Sequence, residues 1–302
     1  MKRKYTAILL TLAICLSGCA GGSSKDTGKV QKDKEGAYQT LASAVDQLKE
    51  EDSISLQLFG SMSSTYNDSS SMIGISSLFS EKKSEGKVYS VLTMSYTDGT
   101  YIDYYNMSDG KKNVCYYDTG SSDPDAGEST EGSVMQETAM KGTEAEQETV
   151  QGTADSGSAI LSDEEFEKTV SYGNIQIPFT EEAVKEVSTI EKDSGTTWKF
   201  VLDPQQGEDL AVWLMESISY IDTSQKEVSF DIDEISCQAG YQEDGSLKTI
   251  KYTLDADMTC EGETLSADYS ISYIVRGKGA DVDVNVPDLS QFSSETEAET
   301  AQ

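Results

Sequence analysis

The sequence predicts an α+β protein built on one strongly curved antiparallel β-sheet, a half-barrel, with helices packed on its concave side. Three observations predict it. The stretch 228–287 alternates apolar and polar side chains over runs of about eleven residues, the period of a half-buried strand. Glycine-containing turn dipeptides separate those runs at hairpin spacing. A few short stretches carry helical spacing instead, and they are the material available to cover the sheet's apolar face.

In chain order, Tyr38, Leu41, Val45 and Leu48 recur at spacings of 3, 4 and 3, predicting a helix over 37–50. Strands follow at "SISLQLFGSM", "KVYSVLTMSY", "GTYIDYYNM" and "KNVCYYD", the last three joined by turns at Asp98-Gly99 and Asp109-Gly110. Their apolar faces alternate imperfectly. Ser162 followed by Glu165 has capping-box form and predicts a short helix near 162–170. "EVSTIEKDSGTTWKFVLD" reads as a hairpin turning at 192–195, and 207–221 as a helix presenting Leu210, Trp213, Leu214 and Ile218.

Residues 227–287 allow a register to be written down. A turn at Asp244-Gly245 pairs Ala239 with Ile250, Cys237 with Tyr252 and Ile235 with Leu254. A turn at Gly262-Glu263 pairs Met258 with Ala267, Ala256 with Tyr269 and Leu254 with Ile271. A turn at Gly277-Lys278 sends a fourth strand back, with Tyr273 opposite Val282 and Ile271 opposite Val284. Val228, Phe230 and Ile232 fall one residue out of phase with Ile235, Cys237 and Ala239, so a β-bulge is expected at Asp233-Glu234. Eight residues of strand separate Tyr252, the partner of Cys237, from Cys260, roughly 26 Å at strand rise. A Cys237–Cys260 disulfide is therefore excluded and free buried thiols are expected.

The first residues, Lys2-Arg3-Lys4 and then apolar Tyr5–Leu16, have the form of a secretory signal too short to span a bilayer. Leu16-Ser17-Gly18-Cys19 resembles the lipobox of bacterial lipoproteins. That resemblance implies a signal peptide over 1–18 and lipid attachment at Cys19. It also implies a protein held by its anchor on the extracytoplasmic face of the cell membrane. Residues 19–36 then read as a flexible tether, and 37–292 as a single domain. Residues 119–159 hold nine acids, one lysine and no aromatic residue, so they are expected to form a disordered acidic insertion. Residues 293–302 are a second acidic tail.

The formal net charge of −31 opposes binding to nucleic acid. The chain contains no histidine, which removes Ser-His-Asp and Cys-His catalysis and His-ligated zinc. No nucleophile elbow, phosphate loop, EF-hand spacing or metal-spaced cysteine pair occurs. Aspartate pairs such as Asp255/Asp257 alternate onto the wet face of strands. The reading is a non-enzyme with no catalytic residue, no metal and no cofactor.

The tethered helix, the meander with its "YQEDGSLKTIKYTLDADM" hairpin and the closing Val286-Pro287-Asp288-Leu289 resemble uncharacterised Gram-positive lipoproteins. Their fold is similar to the LolA/LppX-type periplasmic lipoprotein carriers. The resemblance rests on layout, and no functional residue of the carriers maps onto this chain. It implies a concave apolar face able to hold an acyl chain. The candidate lining is Tyr252, Leu254, Tyr269, Ile271, Tyr273 and Trp213. Two functions follow: a membrane-anchored protein binding a lipid or other apolar molecule, or an envelope protein with a filled core and protein partners. An open apolar cavity supports the first and a solid interior the second.

Overall fold

A computed structural model describes residues 29–31, 33–66, 69–121, 155–171, 173–192, 195–219, 228–260, 263–284 and 288. The signal peptide, Cys19, most of the tether, the centre of the acidic insertion and the tail lie outside them.

Twelve strands form one open, curved antiparallel sheet. They are β1 (Lys29–Gln31), β2 (Ser53–Tyr66), β3 (Ser69–Ser84), β4 (Lys87–Tyr96), β5 (Thr100–Ser108), β6 (Asn113–Ser121), β7 (Asp155–Leu161), β8 (Val184–Lys192), β9 (Gly195–Leu202), β10 (Val228–Tyr241), β11 (Leu247–Cys260) and β12 (Glu263–Lys278). Their spatial order is β1-β8-β9-β10-β11-β12-β2-β3-β4-β5-β6-β7. Among the described residues three α-helices connect them: α1 (Lys34–Glu50), α2 (Asp163–Ser171) and α3 (Glu208–Ser219). Among the described residues no helix is long and apolar enough to cross a membrane.

The topology explains how one face is covered. The chain leaves β1 at one edge and re-enters at β2 in the middle, so α1 crosses the strands between and touches β8 and β11. It leaves β7 at the far edge and re-enters at β8, so α2 and residues 173–183 traverse the sheet. The helix α3 links neighbours β9 and β10 and touches β2, β3, β10 and β12. Leu41, Val45 and Leu48 of α1 and Leu210, Leu214 and Ile218 of α3 are buried, the stripes that helical spacing predicts. All three helices start where expected within a few residues. Ser162 and Glu165 cap α2 reciprocally: the Ser162 amide donates to Glu165 Oε2 at 2.8 Å, and the Glu165 amide to Ser162 Oγ at 3.3 Å.

The β10–β11 hairpin has the predicted register, with Ala239, Cys237 and Ile235 opposite Ile250, Tyr252 and Leu254. The bulge is present: the register shifts between Ile232 and Glu234, restoring Ile232 opposite Ala256 and Phe230 opposite Met258. The β11–β12 pairing differs by two residues. It closes on Cys260 opposite Glu263, so Leu254 faces Tyr269 and Tyr252 faces Ile271. A slip of two preserves which face each side chain occupies.

The fourth meander strand is a correction. After β12 the chain makes a 3₁₀ turn over Gly279–Asp281, and Val282–Val284 join no strand. The edge of β12 is taken by β2, with Leu58, Gly60 and Met62 opposite Tyr273, Ile271 and Tyr269. Strand β2 is long and alternates in phase with β12, and Gly60 leaves room for the Ile75 side chain of β3. The segment 280–287 competes with two aspartates and a proline.

Two further boundaries change. Lys29–Gln31, inside the expected tether, pair with Val187–Thr189 of β8. The ends of the acidic stretch are strand: β6 runs to Ser121 and β7 starts at Asp155. Strand β3 was not read from the sequence at all.

Candidate ligand site

The six candidate lining residues come together on the inner, apolar face. Tyr252 and Ile271 are paired across β11 and β12, as are Leu254 and Tyr269, with Tyr273 two residues further on. The Trp213 ring from α3 meets the Tyr252 ring edge-on at a centroid distance of 5.3 Å. This face is filled by the chain itself. Tyr252, Ile271 and Tyr273 are at most 1 % exposed, and Leu210, Leu214 and Ile218 of α3 are fully buried.

The crossing segment fills the rest. Gly173 lies on the Phe79 ring so closely that a Cβ there would sit 2.1 Å from it. Ile175 is fully buried. Tyr252 Oη donates to the Gln176 carbonyl at 2.5 Å, and Tyr38 Oη to the Phe179 carbonyl at 3.1 Å. Phe179 packs against Tyr38, Phe200 and Tyr252. Two phenols thus satisfy carbonyls of a segment with no regular structure.

Burial holds these phenols neutral. It pushes Tyr269 up to about 12 and also raises Tyr241, Tyr252 and Tyr273. A phenol ionises near 10 once unfolded, so the unfolded chain sheds protons first and stability falls as pH rises from about 10 towards 12. Alkaline titration followed by tyrosinate absorbance should therefore show a cooperative step coincident with loss of far-UV signal. A graded rise with the fold intact would contradict this burial.

The open space lies elsewhere, and the sequence reading missed it. A cleft of about 660 Å³ separates α2 and residues 174–177 from the inner face of β3–β6. Val88, Phe166, Val170, Ile175 and Ile177 give it apolar wall, and Lys49, Glu81, Lys83, Asn113 and Asp163 line its polar part. Lys83 Nζ pairs with Glu81 Oε1 at 2.9 Å and donates to the Lys49 carbonyl at 2.6 Å. Asn113 Nδ2 donates to Asp163 Oδ1 at 2.7 Å.

The register places Glu81, Ser90, Asn106 and Cys115 in one row across β3–β6, on the same inner face. All four are buried. Asn106 Nδ2 donates to Ser90 Oγ at 3.2 Å, while its Oδ1 has no partner among the described residues. Burial pushes the Cys115 thiol up to about 12, so it is an inert neutral group. The signal for this row was the imperfect alternation of the N-terminal strands: polar residues stand at inward positions. Cys237 is a free thiol, as predicted, and so is Cys115, whose pairing the sequence left open.

The Glu81–Lys83 pair carries a prediction. Glu81 is buried and its partner is 38 % exposed on the side chain, so Lys83→Met strands a carboxylate beside solvent-screened surroundings. The expected loss is about 1–3 kcal/mol by urea denaturation. Adding Glu81→Gln should restore most of it, and a double variant as weak as the single would refute the pairing.

No protein-family model and no curated protein matches this chain. Solved structures similar to it at low identity include the following two. The crystal structure of the ywiB protein from Bacillus subtilis is 7 % identical, with a TM-score of 0.20, and the match covers 75 % of this chain and 95 % of that one. The crystal structure of a DUF1329 family protein from Desulfovibrio piger is 10 % identical, with a TM-score of 0.26, over 84 % and 96 %. With TM-scores this low, neither likeness defines the fold or the function of this chain.

Proposed function

We propose that this is a lipid-anchored extracytoplasmic protein that binds a lipid or similar apolar molecule in the cleft beneath α2. The observation that supports it is the cleft itself: its volume lies within the roughly 300–1,000 Å³ of small-molecule sites. One side is apolar for a hydrocarbon tail, and the polar groups gather where a head group would sit. Capture is by removal of apolar surface from water, at roughly 25 cal/mol per Å². The sheet curves around this content, with the helices on its concave side. Cys19 carries the acyl anchor at the membrane, and no covalent chemistry or cofactor is involved.

Native mass spectrometry of the chain lacking residues 1–19 tests the binding. An acyl species that co-purifies, and is lost in Phe166→Arg, supports it. Absence of any bound or added lipid refutes it. Labelled palmitate incorporation, lost in Cys19→Ser, tests the anchor.

The filling of the inner face by α3 and residues 173–179 favours a second reading, an envelope protein with a solid interior and protein partners. A cleft that accepts no lipid while the protein is pulled down with another envelope protein would select it.

A further inference from the structure

We propose that the outer edge of β7 is a docking edge for an extended segment of another protein, one that alternates cationic and apolar side chains. This stands independently of the cleft. Among the described residues the sheet ends at β7, and no strand pairs with its outer side. The edge is seven residues long, whereas the opposite edge ends in the three-residue β1.

Exposed edges are ordinarily protected by lysine, proline, a bulge or brevity. The β7 sequence DSGSAIL contains no cation and no proline, and its pairing with β6 runs without a register shift. Ile160, near its end, is 53 % exposed.

The chemistry of the occupant follows from its surroundings. Directly beyond β7 stand Asp163, Glu164, Glu165 and Glu167, all exposed, against Lys168 alone. The sequence entering β7, residues 122–154, holds eight acids and one lysine. A second copy would bring a chain of formal net charge −31 against this one. A cationic strand is attracted by the acids that open α2.

The pleat sets the alternation. On the inner face β7 presents Gly157, Ala159 and Leu161, in register with Tyr117, Cys115 and Asn113 of β6. The added strand therefore directs apolar side chains inward, onto the Tyr117 ring that lies over Gly157. Its cationic side chains lie on the outer face, where Ser156 is in register with Asp118 of β6. Main-chain hydrogen bonds supply the pairing and the alternation supplies the selectivity.

The test uses three labelled heptapeptides: one alternating Lys and Val, one alternating Glu and Val, and the Lys/Val peptide with a central proline. Each is titrated by fluorescence anisotropy into the chain lacking residues 1–19. The Lys/Val peptide should bind at least tenfold more tightly than either other, and more weakly as salt rises. Ile160→Lys, at an exposed position, should weaken it at least tenfold. Leu78→Lys, equally exposed on β3, should leave it unchanged.

Equal binding of the three peptides, indifference to Ile160→Lys, or no binding of the Lys/Val peptide overturns the proposal. Concentration-dependent dimers abolished by Ile160→Lys would also overturn it, by giving the edge to a second copy.

Discussion

Tyr252→Ala is expected to cost about 3–5 kcal/mol of stability, the range for removing a large aromatic side chain from a closed core. The side chain is fully buried, packs on Trp213 and Phe179, and satisfies the Gln176 carbonyl. Tyr252→Phe separates the two contributions. It keeps the ring and removes only the hydroxyl, leaving a part-buried carbonyl without this donor, at about 1–3 kcal/mol. Urea denaturation of both variants checks the ordering. If Tyr252 lined an open ligand cavity instead, the alanine variant would lose much less, because a ring facing open space has few packing partners to lose.

Gly195→Ala is the second large effect. Gly195 has φ of +122°, a conformation that costs a non-glycine residue about 1–3 kcal/mol by itself. An added Cβ would also meet the Tyr241 carbonyl oxygen at 2.0 Å, and a backbone atom cannot turn aside as a side chain can. The β9 and β10 strands must separate there, so the midpoint should fall further than backbone strain alone requires. Gly245→Ala is the control: its φ is similarly positive, +81°, but nothing lies within 4 Å of where its Cβ would sit. It should show the backbone cost without the clash. Equal losses in the two variants would contradict the close approach of β9 and β10.

How far the fold could be read from residues depended on whether its contacts were local. The β10–β11 hairpin, its bulge and the capping box of α2 are set by neighbours in sequence, so periodicity and turn chemistry specify them. The pairing of β12 with β2 spans about two hundred residues and leaves no local mark. The Gly277-Lys278 dipeptide therefore looked like a hairpin when it lies where β12 ends. Strand β3 escaped notice because its serines blur the alternation that Ile73, Ile75 and Phe79 would otherwise show. Strand β7 lay hidden in an acidic, low-complexity surround.

The site divides the same way. Tyr252, Leu254, Tyr269, Ile271 and Tyr273 belong to one apolar face, as the register says, but their cover comes from residues 173–179, an irregular run with no period to read. The cleft needs α2 above β3–β6, a juxtaposition created only by the crossing from β7 to β8. The buried row of Glu81, Ser90 and Asn106 was visible only as a fault in the alternation.

The central claim is that the chain's own helices and crossing segment close the inner face of β10–β12. Cys237 reports on it most directly, being fully buried on that face opposite Tyr252, with burial raising its thiol well above the ordinary range. The measurement is the rate of alkylation of Cys237 by a small apolar maleimide under native conditions, read by peptide mass. The account predicts that Cys237 reacts only as fast as the whole domain unfolds and accelerates in urea with the global transition. Reaction at a rate near that of a free thiol, with the fold intact, would show an inner face open to small molecules and contradict it.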